Sequence, residues 1–441
     1  MKKRLATLML ASIPFNAALA DDLIEIYQQA LQNDPEYKIS NINQATAAES
    51  KSQSIAQMLP NLNFTAASAN VRSNNTKVLP RFSGAGFGIE QRFWDNSLAV
   101  SLTQPVFHWD HWVQLSQSEN QIAQAEAQFQ ASQQRLMVRT VEAYFNVLAA
   151  EDNLQYLTAE KQSIEKQLEQ AKQRFEVGII AITDVYEAQA GYDRALAAVI
   201  EAENQLDNRK EGLREIVGNN PANLEKLAKD IPLTPPAPED IGAWANSAES
   251  NNFSIVAQFN QAELSRKNIE LQQSKHLPTL DVVGEFRQAD DGSQFGFRGD
   301  RENYGLQLNL PLFTGGGTVS RTRQAQSEYE AAKEELIKVK RAVTREVKDA
   351  YRGTVSSINQ VKALGTTTKS AELAVEAAEA GFEVGTRTMV DVLAIQRNLY
   401  KVKSDYARSR YDYLINGIKL KNAAGSLSEL DLQQINRYLH Y

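Results

Sequence analysis

The amino-acid sequence predicts an α+β membrane protein built by internal duplication, in which short strands cross a bilayer and long coiled-coil hairpins stand clear of it. Three observations predict this. A stretch that breaks a helix occurs twice, apolar residues recur at every seventh position behind each copy, and two pairs of alternating segments interrupt the helical pattern.

The repeated stretch is Arg174-Phe175-Glu176-Val177-Gly178 followed by Thr183-Asp184-Val185, and then Gly381-Phe382-Glu383-Val384-Gly385 followed by Val390-Asp391-Val392. Phe, Glu and Val close a helical pattern, Gly allows the backbone of a C-cap, and Asp stands where the next helix begins. The two copies read as hairpin tips. A shift of 207 positions carries Phe175 onto Phe382, Asp184 onto Asp391, Gln189 onto Gln396 and Gly218 onto Gly425. Behind the tips run Val185, Tyr192, Val199, Leu206, Leu213 and Val392, Leu399, Tyr406, Tyr413, Leu420. Sustained seven-residue spacing marks a coiled-coil seam.

With 441 residues the chain has room for a large core, and the doubling divides it into two structural halves. Residues 1–20 read as a secretory signal: Lys2, Lys3 and Arg4, an apolar run from Leu5, and Ala18-Leu19-Ala20 before Asp21. Its removal takes three cations and no acid, moving the formal charge from −7 to −10. An acidic exported chain argues against nucleic-acid binding. The absence of cysteine excludes a disulfide framework and thiolate chemistry. Beyond the signal no apolar run is long enough for a membrane helix, so a bilayer would be crossed by strands.

In chain order, Asp22 to Leu59 reads as helix, interrupted at Asn33-Asp34-Pro35 and ended by Leu59-Pro60. Asn61 to Val71 alternates as a strand, Arg72 to Ser97 reads as a long loop, and Leu98 to Phe107 as a second strand halted at Pro105. Trp109 to Val177 contains neither Pro nor Gly, and as one helix would extend about 100 Å. The first repeat thus spans 21–230, and the Pro-rich joint 231–239 follows. The second repeat, 240–425, brings strands at Thr279 to Gln288 and Tyr304 to Leu310 around a loop Ala289 to Asn303, then a long helix made less regular by Gly353 and Gly365. The segment 426–441 reads as a short amphipathic helix outside the main bundle. The first strand loop is 12 residues longer than the second while the helical register holds, as exposed loops on a constrained scaffold allow.

Four strands of roughly 10 residues suffice to cross a bilayer but not to close a barrel, and open edges cannot lie in lipid. Subunits must therefore share one. Two chains would supply eight strands and a filled interior; three supply twelve and leave a lumen.

These residues resemble the TolC family of outer-membrane efflux and type I secretion channels. The resemblance rests on the doubling, Leu-Pro before each outgoing strand, Pro105-Val106-Phe107 and Pro311-Leu312-Phe313 after each returning one, and the tips, with Gly385 to Leu393 particularly similar to the family's periplasmic entrance. It implies a homotrimer in the outer membrane, with a 12-stranded β-barrel continued by a 12-helix periplasmic α-barrel. It further implies a passive exit duct for drugs or secreted protein, docked through a periplasmic adaptor (membrane fusion protein) to an inner-membrane pump of ABC, RND or MFS type. Outer-membrane lipid is the remaining partner, no cofactor is implied, and no phosphate-binding Gly-rich loop occurs.

The resemblance also implies site roles. Asp391 would form a carboxylate ring at the pore aperture, and Thr183, Asp184, Phe382 and Arg387 a gate latch. Val177, Gly178 and Ile179, with Val384, Gly385 and Thr386, would be tips that touch the adaptor. Two positions depart from the family: Ala394 replaces a second constricting Asp, and Phe382 replaces a Tyr found in some relatives.

From the residues alone, Asp184 and Asp391 also read as acids complementing a helix N-terminus. The run His108-Trp109-Asp110-His111-Trp112 lacks a clear third ligand and reads as an aromatic girdle at the membrane edge, with no metal expected. No catalytic motif supports an enzyme. The rival to a channel is a trimeric outer-membrane stalk or adhesin, which needs neither a charged constriction nor helices on the periplasmic side.

Overall fold

The computed structural model describes residues 21–75, 89–219, 223–292 and 298–440. The signal at 1–20, and Phe82 and Phe87 of the first strand loop, lie outside the described residues. The element order is α1 (Leu23–Asn33), α2 (Pro35–Ala56), β1 (Asn61–Asn75), β2 (Ile89–Phe107), α3 (Trp109–Glu176), α4 (Ile182–Val217), β3 (Lys226–Leu227), α5 (Ile241–Asn251), α6 (Phe253–Ser274), β4 (Thr279–Asp291), β5 (Arg298–Asn309), α7 (Gly317–Glu383), α8 (Met389–Ala423), α9 (Glu429–Asn436) and β6 (Leu439–His440). Described residues form two compact units, one within Met1–Asn41, Gln128–Ile255 and Lys340–Tyr441, the other within Ile42–Ala127 and Val256–Val339. Each unit draws on both halves of the sequence.

The second unit holds an antiparallel sheet in the order β1-β2-β4-β5. Its register settles which faces are apolar, because paired residues of an antiparallel ladder point to the same side. The rows Leu62–Leu102–Gly284–Tyr304 and Phe64–Val100–Phe286 lie on one face, joined by Val282–Leu306 and Leu280–Leu308. The opposite face carries Asn63–Ser101–Glu285–Asn303 and Thr65–Ala99–Arg287–Arg301. Apolar side chains on the first face stay open to solvent in a single chain, with Phe64 69 %, Leu306 72 % and Tyr304 88 % exposed. A sheet apolar on one side and polar on the other, with no core beneath, is suited to lipid outside and water inside.

The strands are longer than their apolar stretches. They contain 15, 19, 13 and 12 residues. Most of the span read as loop at 72–97 and 289–303 is instead ladder, with pairs such as Arg72↔Arg92 and Gln288↔Asp300. A hairpin needs a continuous apolar face only where it meets lipid; beyond that, the hydrogen-bond ladder continues through mostly polar residues, with Phe93 and Trp94 among them. Nor does Pro105 end β2, which runs on to Phe107, with an irregularity in its pairing to β4 between Pro105 and Phe107. Pro lacks an N–H, so the ladder shifts around it and continues.

The first unit is helical. Asp22 caps α1 through a reciprocal box with Glu25, and Pro35 opens α2 after a single extended residue, Asp34. Asp34 is buried, accepts from the Tyr37 N–H at 2.8 Å and pairs with Arg139 of α3 at 3.0 Å. The seam residues read from the seven-residue spacing are buried or half-buried throughout α4 and α8. A core of Leu23, Ile26, Tyr144, Phe145, Leu213, Leu414 and Ile418 also takes in Leu427, Leu432, Ile435 and Leu439. The C-terminal helix α9 is therefore part of this core and not outside it, although Leu430 faces solvent. Strand β6 pairs with β3, fixing the chain end.

Duplication extends to tertiary contacts. Asn33 Nδ2 donates to the Val217 carbonyl next to Gly218, and Asn252 Nδ2 donates to the Ala423 carbonyl two residues before Gly425. Gly353 and Gly365 do not interrupt α7, which is continuous over 67 residues. A methyl at Gly365 would lie 3.4 Å from the Tyr406 ring. The glycine there makes room for a neighbouring helix, and tertiary packing outweighs its roughly 1 kcal/mol helix penalty.

Candidate functional site at the hairpin tips

Both tips are helix C-caps of the same kind. Gly178 and Gly385 have φ of 75° and 78°, a left-handed conformation that glycine adopts without strain. The Gly178 N–H donates to the Phe175 carbonyl and Ile179 N–H to the Arg174 carbonyl, each at 2.9 Å. In the second tip Gly385 N–H reaches Phe382 at 3.1 Å and Thr386 N–H reaches Gly381 at 2.8 Å. This paired bonding satisfies the last carbonyls of α3 and α7 within the turn. The turns leave Val177, Ile179 and Val384 at least 70 % exposed.

The tips differ in how the following helix starts. Thr388 is the N-cap of α8 and forms a reciprocal box with Asp391. The Asp391 carboxylate accepts from the Thr388 N–H at 3.1 Å and its hydroxyl at 2.8 Å, while Thr388 Oγ1 accepts from the Asp391 N–H. These Thr388 bonds, aided by the Arg387 charge, hold the Asp391 carboxyl below the usual aspartate range. At the equivalent position α4 has Ala181, which offers no capping side chain. Among the described residues the Asp184 side chain makes no hydrogen bond or ion pair, although it is half-buried. Thr183 and Arg387 are exposed.

Phe382 lies between the two hairpins. It packs on a cluster formed by Ile164, Leu168 and Ala171 of α3, Val185, Ala188 and Ala195 of α4, and Met389 and Leu393 of α8, which welds the two hairpins together. Gly191 of α4 admits Leu393, since a methyl there would sit 3.3 Å from Leu393 Cδ1. Arg174 covers the Phe382 ring from the other hairpin. Within one chain, no hydrogen bond or ion pair joins Arg387 to Thr183 or Asp184 among the described residues. Arg174, Gly191 and Met389 carry much of the inter-hairpin contact, yet nothing in their local sequence marked them. The 207-residue shift does place Gly381 opposite Arg174, a mismatch between copies that singles out this position.

Each tip thus offers an exposed apolar turn followed by a helix that starts on an acid, and the sheet offers a lipid-facing surface with two edges that one chain leaves open. The family model for outer membrane efflux proteins matches residues 26–219 and 244–426. The chain belongs to that family. It is 37 % identical over 444 residues to the outer membrane protein TolC of Vibrio cholerae, covering 99 % of this chain and 98 % of that one. It is 28 % identical over 423 residues to the alkaline protease secretion protein AprF of Pseudomonas aeruginosa, covering 95 % and 87 %. The fold is that of the crystal structure of the outer membrane protein VceC from Vibrio cholerae, with a TM-score of 0.75 at 19 % identity over 91 % and 96 % of the two chains.

Outer membrane efflux proteins are trimeric exit channels that work with adaptor and inner-membrane pump components. Membership decides between channel and stalk in favour of the channel, located in the outer membrane with a periplasmic extension. The open edges of β1 and β5 are those that neighbouring subunits must cover. Relatives in the family are channel proteins and not enzymes.

Proposed function

We propose that this efflux-family channel is closed at its hairpin tips and opened there by its periplasmic adaptor. Asp391 forms the aperture: three carboxylates around a threefold axis repel one another when the mouth narrows and attract cations. Arg387, Thr183, Asp184 and Phe382 form the latch. Asp184 carries this reading, because a half-buried carboxylate without a hydrogen-bond or ion-pair partner among the described residues is available to Arg387 of a neighbouring subunit.

Val177, Gly178 and Ile179, with Val384, Gly385 and Thr386, supply the adaptor contact, supported by the exposure of their apolar members. The pump is of ABC, RND or MFS type, and the cargo is drug or secreted protein; similarity to a protease secretion protein supports the latter. Reversal of charge in Arg387→Glu tests the latch in planar bilayers. A higher open conductance than wild type is expected, and an unchanged closed state would contradict it.

A further inference from the structure

At the joint between β2 and α3, His108, Asp110 and His111 bring three potential ligand atoms within 4.8 Å of one another. His108 Nδ1 lies 3.6 Å from Asp110 Oδ1, and His111 Nε2 lies 4.0 Å from Asp110 Oδ2. The two imidazoles stack with centroids 4.4 Å apart and planes at 15°. A fourth group arrives from the neighbouring strand: His108 Nε2 is 3.0 Å from Asp281 Oδ1 of β4. All four side chains are shielded, with exposures between 17 % and 32 %.

A neutral His108 that donates its Nε2–H to Asp281 turns the lone pair of Nδ1 toward the Asp110 carboxylate. Two electron-rich groups then face each other with nothing positive between them. A second proton on His108 would relieve that ring alone. It would leave the His111 ring, whose Nε2 stands 4.0 Å from Asp110 Oδ2, without a bond to that carboxylate. A cation between the three groups meets His108 Nδ1, His111 Nε2 and the Asp110 carboxylate together.

We infer that His108, Asp110 and His111 bind a divalent transition metal ion, with Asp281 as the carboxylate that orients His108. Tetrahedral ligands at about 2.0–2.1 Å from such an ion stand roughly 3.3 Å apart, so on metal binding the 3.6 Å and 4.0 Å spacings close by about 0.3 Å and 0.7 Å. Imidazole and carboxylate ligands suit Zn²⁺ and its neighbours better than Mg²⁺ or Ca²⁺. A carboxylate behind the ligating histidine is the usual second layer of such sites. One ion per chain would tie the start of α3 to β4, where strand gives way to helix.

The test is titration of Zn²⁺ into detergent-purified, metal-stripped protein without a polyhistidine tag. The expected result is one ion per chain, with affinity lowered at least 10-fold in His111→Ala and roughly 10–100-fold in Asp281→Asn. Co²⁺ supplied to the wild-type protein should give the visible bands of a low-symmetry nitrogen and oxygen site, a readout independent of whether any variant folds. Absence of saturable Zn²⁺ uptake and of Co²⁺ bands would overturn the inference, as would uptake unchanged in folded His111→Ala trimers, which would place the ion elsewhere.

Discussion

The guanidinium carbon of Arg174 lies 5.3 Å from the centre of the Phe382 ring. The two residues belong to different hairpins, so this contact ties one tip to the other within a chain. A cation over an aromatic face at a partly exposed site contributes about 0.5–1 kcal/mol. Arg174→Gln should therefore raise the open fraction of single channels a few-fold, with Arg174→Lys intermediate. Phe382→Ala should act more strongly because it also removes packing on the apolar cluster between the hairpins. Equal conductance in all three variants would show that the tips are held by other contacts.

Asp391 separates two roles that a carboxylate at a helix start can play. Asp391→Asn keeps an oxygen for the Thr388 bonds but deletes the charge. Divalent cation block of the channel should weaken in this variant while the helix start is retained, and Asp391→Ala should add a larger leak. Block unchanged in Asp391→Asn would assign the residue to capping alone.

The same pair sets a pH dependence. Thr388 holds the Asp391 carboxyl below the usual range, so the charged form and its cap persist at neutral pH and through the ordinary aspartate range. They are lost only as pH falls through the lowered value. Thr388→Ala removes the hydroxyl donor, and the pH at which divalent block disappears should rise. A shift in the opposite direction would contradict the assigned cause.

Gly425 and Gly218 are equivalent by the duplication but not in tolerance. A methyl at Gly425 would lie within 2.6 Å of the Asn251 carbonyl carbon, and φ there is +72°. Gly425→Ala combines a left-handed cost of about 1–2 kcal/mol with a backbone collision, and should lower the thermal midpoint markedly. At Gly218 the neighbour is the Asn33 side chain at 3.2 Å, which can give way. Gly218→Ala should cost only about 1–2 kcal/mol. Equal losses measured by thermal melting would argue against the asymmetry.

Buried Asp34 depends on Arg139. Removing one partner of a buried pair leaves a charge uncompensated, at a cost on the order of 3–5 kcal/mol. Glu36, also paired with Arg139, is half-exposed and its loss should cost under about 1 kcal/mol. Denaturation of Arg139→Met against Glu36→Gln checks the ordering, and a larger effect from Glu36 would reverse it.

Much of the fold was legible because helical hairpins announce themselves locally. The Gly178 and Gly385 caps, the seven-residue seam and the Pro35 break each depend on nearby residues alone. Strand length was not legible, since the ladder continues past Val71 and before Leu98 through polar residues that read as loop. The buried place of α9 was missed for a related reason: Leu432 and Ile435 join a core with Leu23, Ile26 and Tyr144, far away in sequence. At the candidate site the acids were visible, but the Ala181 that leaves Asp184 without a cap partner, and the Arg174 that covers Phe382, take meaning only from packing. Asp281 illustrates the limit most clearly, as it stands 173 positions from the histidine it orients.

The channel depends on four strands per chain whose outer edges are completed by neighbouring subunits around a conducting lumen. Mass determination of the detergent-purified protein by light scattering tests this most directly. Three chains per particle are expected, with no folded species of lower mass. A monomer that keeps its full helical and strand content in detergent would contradict it.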